Sequence, residues 1–183
     1  MPRSGAEARI RLREAALELY RERGYDATTT AQIAERAGLT ERTFFRHFPD
    51  KREVLFGGEE ELRDVLVGAI ADAPPDASPL EIVVGAYTAA VPLFVAGRTI
   101  AVRRAAIIAG VPALEERAPA KSAALANSMT SALVARGIPE PTARLAVSVG
   151  AAAFQGAGAA WYPDPAQDLG ELLARAVAEV RTL

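Results

Sequence analysis

Between Thr29 and Asp50 the chain twice sets a threonine ahead of a short apolar-periodic run, then closes that run with a helix-ending residue. Thr29 and Gln32 have capping-box spacing, in which hydroxyl and amide satisfy each other's free backbone donors. Gly38 closes the first run by permitting the left-handed backbone that redirects the chain. Thr40 opens the next run and Pro49 breaks it. The pattern predicts two short amphipathic helices. Ile33, Ala34 and Ala37 face inward from the first, and Leu39, Phe44 and Phe48 from the second. A pair built this way leaves the outer face of its second helix free to lie in a major groove.

The same signals extend along the chain. Ser4 is expected to cap a helix reaching Arg23, with Leu12, Ala15, Ala16 and Leu19 at i, i+3, i+4 and i+7, and Gly24 ending it. Asp50 with Glu53 reads as another capping box, opening a fourth helix that runs to about Ala71 with Gly57-Gly58 as a weak point. Asp72 to Ala77 is a loop. Ser78-Pro79-Leu80-Glu81 is a start signal combining cap, first-turn proline and glutamate. Helices are then expected at roughly 79–96 (kinked at Pro92), 99–109, 112–117, 119–136, 141–161 and 165–182. Sustained β-branched alternation is missing, and alanine is abundant. The fold class is all-α: an N-terminal three-helix helix-turn-helix domain over residues 1–55, and a helical domain over 56–183.

Charge is distributed unevenly. The chain carries −2 overall, but residues 1–55 hold 11 Arg/Lys against 9 Asp/Glu and the remainder 10 against 14. Arg36, Arg42, Arg46, Lys51 and Arg52 lie close together with two acidic residues, Glu41 and Asp50. A local basic cluster on a mildly acidic chain suits an anionic partner touching one end, although a solvated face accounts for the charge equally well. The apolar segment Ile82 to Ala96 reads as a buried helix, too short and too interrupted by Tyr87, Thr88 and Pro92 to span a bilayer. The N-terminus lacks the apolar core of a signal peptide. A cytoplasmic location follows by default, with no membrane partner.

Catalysis finds little support. The chain has no cysteine and one histidine, His47, so a thiolate site is excluded and His47 has no second imidazole to complete a metal site. Phosphate contact or helix packing are its expected roles. No paired carboxylates in a polar setting and no nucleophile–base pair are visible. Gly156-x-Gly158 follows no strand, so it is no nucleotide loop. The expectation is a non-enzyme without cofactor or metal.

Gly24-Tyr25-Asp26-Ala27-Thr28-Thr29, Ile33-Ala34, Ala37-Gly38-Leu39-Thr40 and Thr43-Phe44-Phe45-Arg46-His47-Phe48-Pro49-Asp50-Lys51 together resemble the N-terminal domain of the tetracycline-repressor (TetR) family. The resemblance covers residues 6–55 without a gap. It implies a homodimeric transcriptional regulator, usually a repressor, that binds double-stranded DNA at a near-palindromic operator and leaves it when a small effector binds. By position, Thr40, Arg42, Thr43, Phe45, Arg46, His47 and Lys51 would contact DNA, with Thr29 and Thr30 holding phosphate. The Phe45 position is commonly tyrosine in the family, and phenylalanine has no hydroxyl to donate.

Residues 56–183 would then be the dimerisation and ligand-sensing domain. In the family the last two long helices commonly form a four-helix interface. Here the penultimate one is rich in small residues (Ala151, Ala152, Ala153, Gly156, Gly158, Ala159, Ala160), and the last carries a stripe of Leu169, Leu172, Leu173, Ala176, Val177 and Val180. Internal packing would explain that stripe as well. Candidate walls for a largely apolar effector are Tyr87, Val91, Phe94, Ile107, Ile108, Met129, Phe154 and Trp161. Arg103 and Arg104 invite an anionic group, or simply reach solvent over their aliphatic stems. The helix ending in Trp161 also resembles bodies that accept acyl-coenzyme-A-like ligands. A ligand-binding or scaffolding helical protein without DNA binding is the alternative reading.

Overall fold

The computed structural model describes residues 3–57 and 59–182. Among them are nine helices and no strand: α1 (Arg3–Arg23), α2 (Thr30–Arg36), α3 (Glu41–His47), α4 (Glu59–Ala71), α5 (Pro79–Ile108), α6 (Pro112–Glu115), α7 (Arg117–Ala135), α8 (Glu140–Trp161) and α9 (Leu169–Val180). The all-α expectation holds.

Four boundaries differ from expectation, each for a local reason. Ser4 lies inside α1, which already includes Arg3, so it is not the cap. Asp50 does cap, accepting from the amides of Arg52 at 2.8 Å and Glu53 at 3.1 Å, but turns rather than a helix follow it. Val54, Leu55 and Phe56 are all buried. Three consecutive side chains fan through about 200° on an α-helix, so burying all of them calls for a tighter path, here made of i+3→i bonds from Leu55 to Arg52 and from Phe56 to Glu53. The next helix starts only at Glu59; Gly58, half of the expected weak point, lies outside the described residues.

The third difference is α5, a single 30-residue helix in which neither Pro92 nor Gly97 ends the run. The whole of α5, longer than the segment 82–96, is long and apolar enough to cross a membrane by length and composition. Fourth, α9 begins at Leu169 rather than near residue 165, because Asp168 accepts from Glu171 N at 2.9 Å and fixes its start.

The chain divides into two compact units. The first comprises residues 1–58 with 100–118, so a segment expected in the C-terminal domain packs with the N-terminal helices. Its core joins Leu12, Leu19, Tyr20, Ile33, Phe44, Phe48 and Leu55 to Leu114, with Ile100, Ile107 and Ile108 packed against it. These late apolar residues add to a core that three short helices leave open.

The second unit comprises residues 59–99 and 119–183. Leu66, Ile70, Val83, Met129, Leu133, Val147 and Trp161 lie in its core. Glycine serves close approach at Gly150, where an added Cβ would stand 2.4 Å from Val83 Cγ1. The Ser78–Glu81 capping box forms, with Ser78 N donating to the Glu81 carboxylate at 3.0 Å. Arg136, which no sequence pattern singles out, donates to the carbonyls of Ala71 (2.6 Å) and Ala73 (2.8 Å), satisfying acceptors at the end of α4.

Candidate nucleic-acid interface

Two caps set the geometry of the first unit's outer face. Thr29 Oγ1 accepts from Gln32 N at 3.2 Å while Gln32 Oε1 accepts from Thr29 N at 3.0 Å, the reciprocal pair expected from the sequence. Thr40 Oγ1 accepts from Thr43 N at 3.2 Å and lies 3.0 Å from Thr43 Oγ1. Between the caps, Gly38 adopts φ +65°. A side chain there would meet more than backbone strain, since an added Cβ would stand 2.7 Å from Arg11 Nη2. That guanidinium donates to the Ala37 carbonyl and so covers the end of α2.

The second of these helices, α3, is anchored by Phe44 and Phe48, fully buried one turn apart. Phe48 also lies beneath the Arg9 guanidinium, 5.1 Å from its ring centre. The anchoring leaves Thr40, Glu41, Arg42, Phe45 and Arg46 exposed. Arg42, Phe45 and Arg46 stand at i, i+3 and i+4, so they form one stripe. Phe45 is 52% exposed, an apolar ring offered to solvent beside two cations.

The five cations counted in sequence do not act together. Arg36 is tied to Glu18 at 3.2 Å and Glu22 at 2.9 Å, and its hydrogen bond holds the Glu22 carboxyl below the usual carboxylate range. Arg52 pairs with Asp50 at 2.6 Å. Lys51 turns inward: its ammonium donates to the carbonyls of Tyr25 (2.8 Å), Asp26 (3.3 Å) and Thr28 (2.9 Å). An ammonium has three protons, and these three carbonyls engage it from within the chain. Arg42 and Arg46 are the cluster's cations that make no hydrogen bond or ion pair among the described residues.

The remaining candidates divide. Thr29 is exposed and Thr30 partly so, but Thr30 Oγ1 donates to Glu41 Oε1 at 2.5 Å, linking the first turns of α2 and α3. Glu41 therefore belongs to this surface although the candidate contacts omit it; its place on the first turn of a capped helix is a signal the sequence carries. His47 is half-buried, with Nε2 covered and without a hydrogen-bond partner. Burial foremost, then the charges of Arg46 and Arg9, lower its pKa. The neutral ring packs near Gly5, where an added Cβ would stand 3.8 Å from Cε1. Packing, one of its two expected roles, is the one the geometry favours.

The effector candidates are drawn from both units. Tyr87 stacks on Phe154 at 4.7 Å, Phe94 meets Phe154 at 4.6 Å, and these lie with Val91, Met129 and Trp161 in the second unit. Met129 and Trp161 are buried in the core. Arg103, Arg104 and Ile107 lie instead in the first unit, with Ile108. Arg103 is paired with Glu14 at 2.9 Å, and Arg104 donates to the Leu55 carbonyl at 3.4 Å. No group of three or more metal-ligating side chains occurs among the described residues.

The family model for "Bacterial regulatory proteins, tetR family" matches residues 12–56, the segment that carries both caps, Gly38 and the exposed stripe. Residues 12–56 are a helix-turn-helix domain of the tetR family. Within curated proteins the chain is similar to the HTH-type transcriptional regulator TcmR of Streptomyces glaucescens, 39% identical over 74 residues. That match takes in 40% of this chain and 33% of TcmR, so the chain spans about a third of the relative's length. Beyond the head, the tetR-family likeness is one of fold. A SmeT–triclosan complex superposes with a TM-score of 0.61 at 20% identity, over 94% of this chain and 90% of that one. Thermus thermophilus FadR, a TetR-family transcriptional repressor in complex with lauroyl-CoA, superposes with a TM-score of 0.51 at 20% identity, over 93% and 91%.

Proposed function

We propose that this tetR-family chain is a cytoplasmic, sequence-specific transcriptional regulator: a repressor that acts as a homodimer on a near-palindromic operator and is released by a small, largely apolar effector. The observation that carries the reading is the Arg42–Phe45–Arg46 stripe, exposed on a helix whose other side is locked into the core by Phe44 and Phe48. Arginine reads guanine edges or binds phosphate, and an exposed phenylalanine suits a thymine methyl. Thr40 and Thr43 at the start of α3, with Thr29 and Thr30 at the start of α2, lie at helix N-termini, which favour phosphate. Lys51 is left out of this set.

Dimerisation on α8 and α9 would hold two recognition helices about 34–36 Å apart, one helical repeat of DNA. The two helices pack on each other within one subunit through Leu172, Leu173, Val177 and the small residues of α8, while Leu145 remains 65% exposed. The triclosan and lauroyl-CoA held by proteins of the same fold support an apolar effector, and the Tyr87–Phe94–Phe154 cluster is the proposed place for it. Release requires only that the effector favour a shape in which the two heads no longer match successive major grooves.

Selection of bound sites from a random duplex library tests the reading. A two-fold symmetric consensus is the expected result. A folded chain that enriches no sequence, and does not shift its own promoter region, would leave the ligand-binding or scaffolding alternative.

A further inference from the structure

Apart from its exposed stripe, the first unit holds a half-open cleft of about 470 Å³, within the range of about 300–1,000 Å³ typical of small-molecule sites. Tyr20 and Tyr25 form one wall, their rings 5.2 Å apart and inclined at 55°. Val102 and Ala106, one turn apart on α5, form another. Val102 is 43% exposed, although it is the kind of side chain that folding normally buries. Arg21 and Arg103 also line it, and none of the lining residues is acidic. Arg103 is neutralised by Glu14 at 2.9 Å. Arg21 makes no hydrogen bond or ion pair among the described residues.

These features describe a complementary molecule. Its body is apolar and flat enough to lie between the tyrosine wall and α5, and it carries one negative charge for a guanidinium that no ion pair engages. We propose that this cleft binds a ring-bearing organic anion, with the apolar body between the tyrosines and α5 and the anionic group on Arg21. The site is separate from the aromatic cluster of the second unit. Gly24 and Tyr25, which line it, belong to the turn ahead of the Thr29 cap.

The proposal can be tested without DNA, so its failure is distinct from a failure of the regulatory reading. The probe is 8-anilinonaphthalene-1-sulfonate, titrated into the full chain and read by fluorescence. Saturable binding at one site per chain is expected. Ala106→Trp fills the cleft and Val102→Glu sets a carboxylate in it; both positions are exposed, so both variants should fold, as far-ultraviolet circular dichroism will check. Each should weaken binding at least about tenfold, equivalent to about 1.4 kcal/mol. Arg21→Ala should weaken it about fivefold and bring it level with the uncharged analogue N-phenyl-1-naphthylamine. Val134→Glu, at an exposed position of α7, should change nothing. No binding by the wild-type chain, or binding unaltered by Ala106→Trp and Val102→Glu, overturns the site; an Arg21→Ala variant that keeps full preference for the sulfonate overturns the assignment of the anion.

Discussion

The Lys51 ammonium lies 4.3 Å from the centre of the Tyr25 ring while donating to the carbonyl of the same residue at 2.8 Å. One side chain thus holds both the ring and the backbone of the turn between α1 and α2. Tyr20 binds Lys51 in return, donating its hydroxyl to the Lys51 carbonyl at 2.6 Å. Burial, followed by the neighbouring Tyr25 and Asp50, raises the Tyr20 pKa, so the phenol remains a donor at neutral pH. Lys51→Met should therefore lower stability by about 2 kcal/mol, since hydrogen bonds from a charged donor contribute about 1.5–3 kcal/mol. Urea unfolding measures this. A phosphate contact would instead show as a shallower salt dependence of DNA binding with unchanged stability, the opposite of what the geometry predicts.

Arg42 and Arg46 should behave in the reverse sense. Changing either to alanine removes a guanidinium that makes no hydrogen bond or ion pair among the described residues, so stability should stay within about 0.5 kcal/mol of wild type. Operator affinity should fall by about 1–3 kcal/mol for each base edge left unread. Measuring both quantities on one preparation separates the roles: reduced stability with intact DNA binding would place these arginines in the fold and not on the duplex.

Gly24 and Gly38 both have positive φ, +85° and +65°, but different surroundings. Nothing lies within 4 Å of a Cβ added at Gly24, whereas Arg11 Nη2 lies 2.7 Å from one added at Gly38. Gly24→Ala should cost about 1–2 kcal/mol, the penalty of the left-handed backbone alone. Gly38→Ala should cost more, because it also displaces the guanidinium from the Ala37 carbonyl, and its DNA affinity should fall as the angle between α2 and α3 shifts. Equal costs at the two positions would argue that Arg11 moves aside freely.

Phe45→Tyr restores the hydroxyl common at this position in the family. The ring is half exposed, so stability should not change. A new hydrogen bond to phosphate would improve operator affinity by about 0.5–1.5 kcal/mol, readable by fluorescence anisotropy on the selected site.

His47 gives stability a pH dependence above the carboxylate range. Burial, then Arg46 and Arg9, lowers its pKa in the folded chain, whereas unfolding releases it to its ordinary value near 6.5. The folded state then binds fewer protons than the unfolded one, so the contribution of His47 is fully present above pH 6.5 and is lost as the pH falls toward the depressed value. Unfolding midpoints should drop below pH 6.5, and His47→Gln should flatten that slope. A slope that persists in the variant would assign the effect to other groups.

The readable part of this protein was the part governed by neighbours in sequence. Thr29 with Gln32, Thr40, Gly38 and the Ser78–Glu81 pair act across three or four residues, a spacing that local backbone geometry dictates, and each took up the role its pattern predicts. The inward set Ile33, Ala34, Phe44 and Phe48 follows helical periodicity in the same way. Where a local signal misled, a longer-range demand had overridden it. Asp50 caps a turn and not a helix because Val54, Leu55 and Phe56 must all be buried.

Sequence alone therefore decided α2, α3 and their caps within the tetR-family head, since those depend on interactions across a turn or two. Only the folded chain decided which charges are free. The carboxylates of Glu18 and Glu22 reach Arg36 across 14 or more positions, and the Tyr25 carbonyl reaches Lys51 across 26. It also decided that residues 100–118 complete the first core, and that Arg103 and Phe154 belong to different units. A charge count cannot register such pairings, because a cation is available to a partner only after the fold has chosen its neighbours.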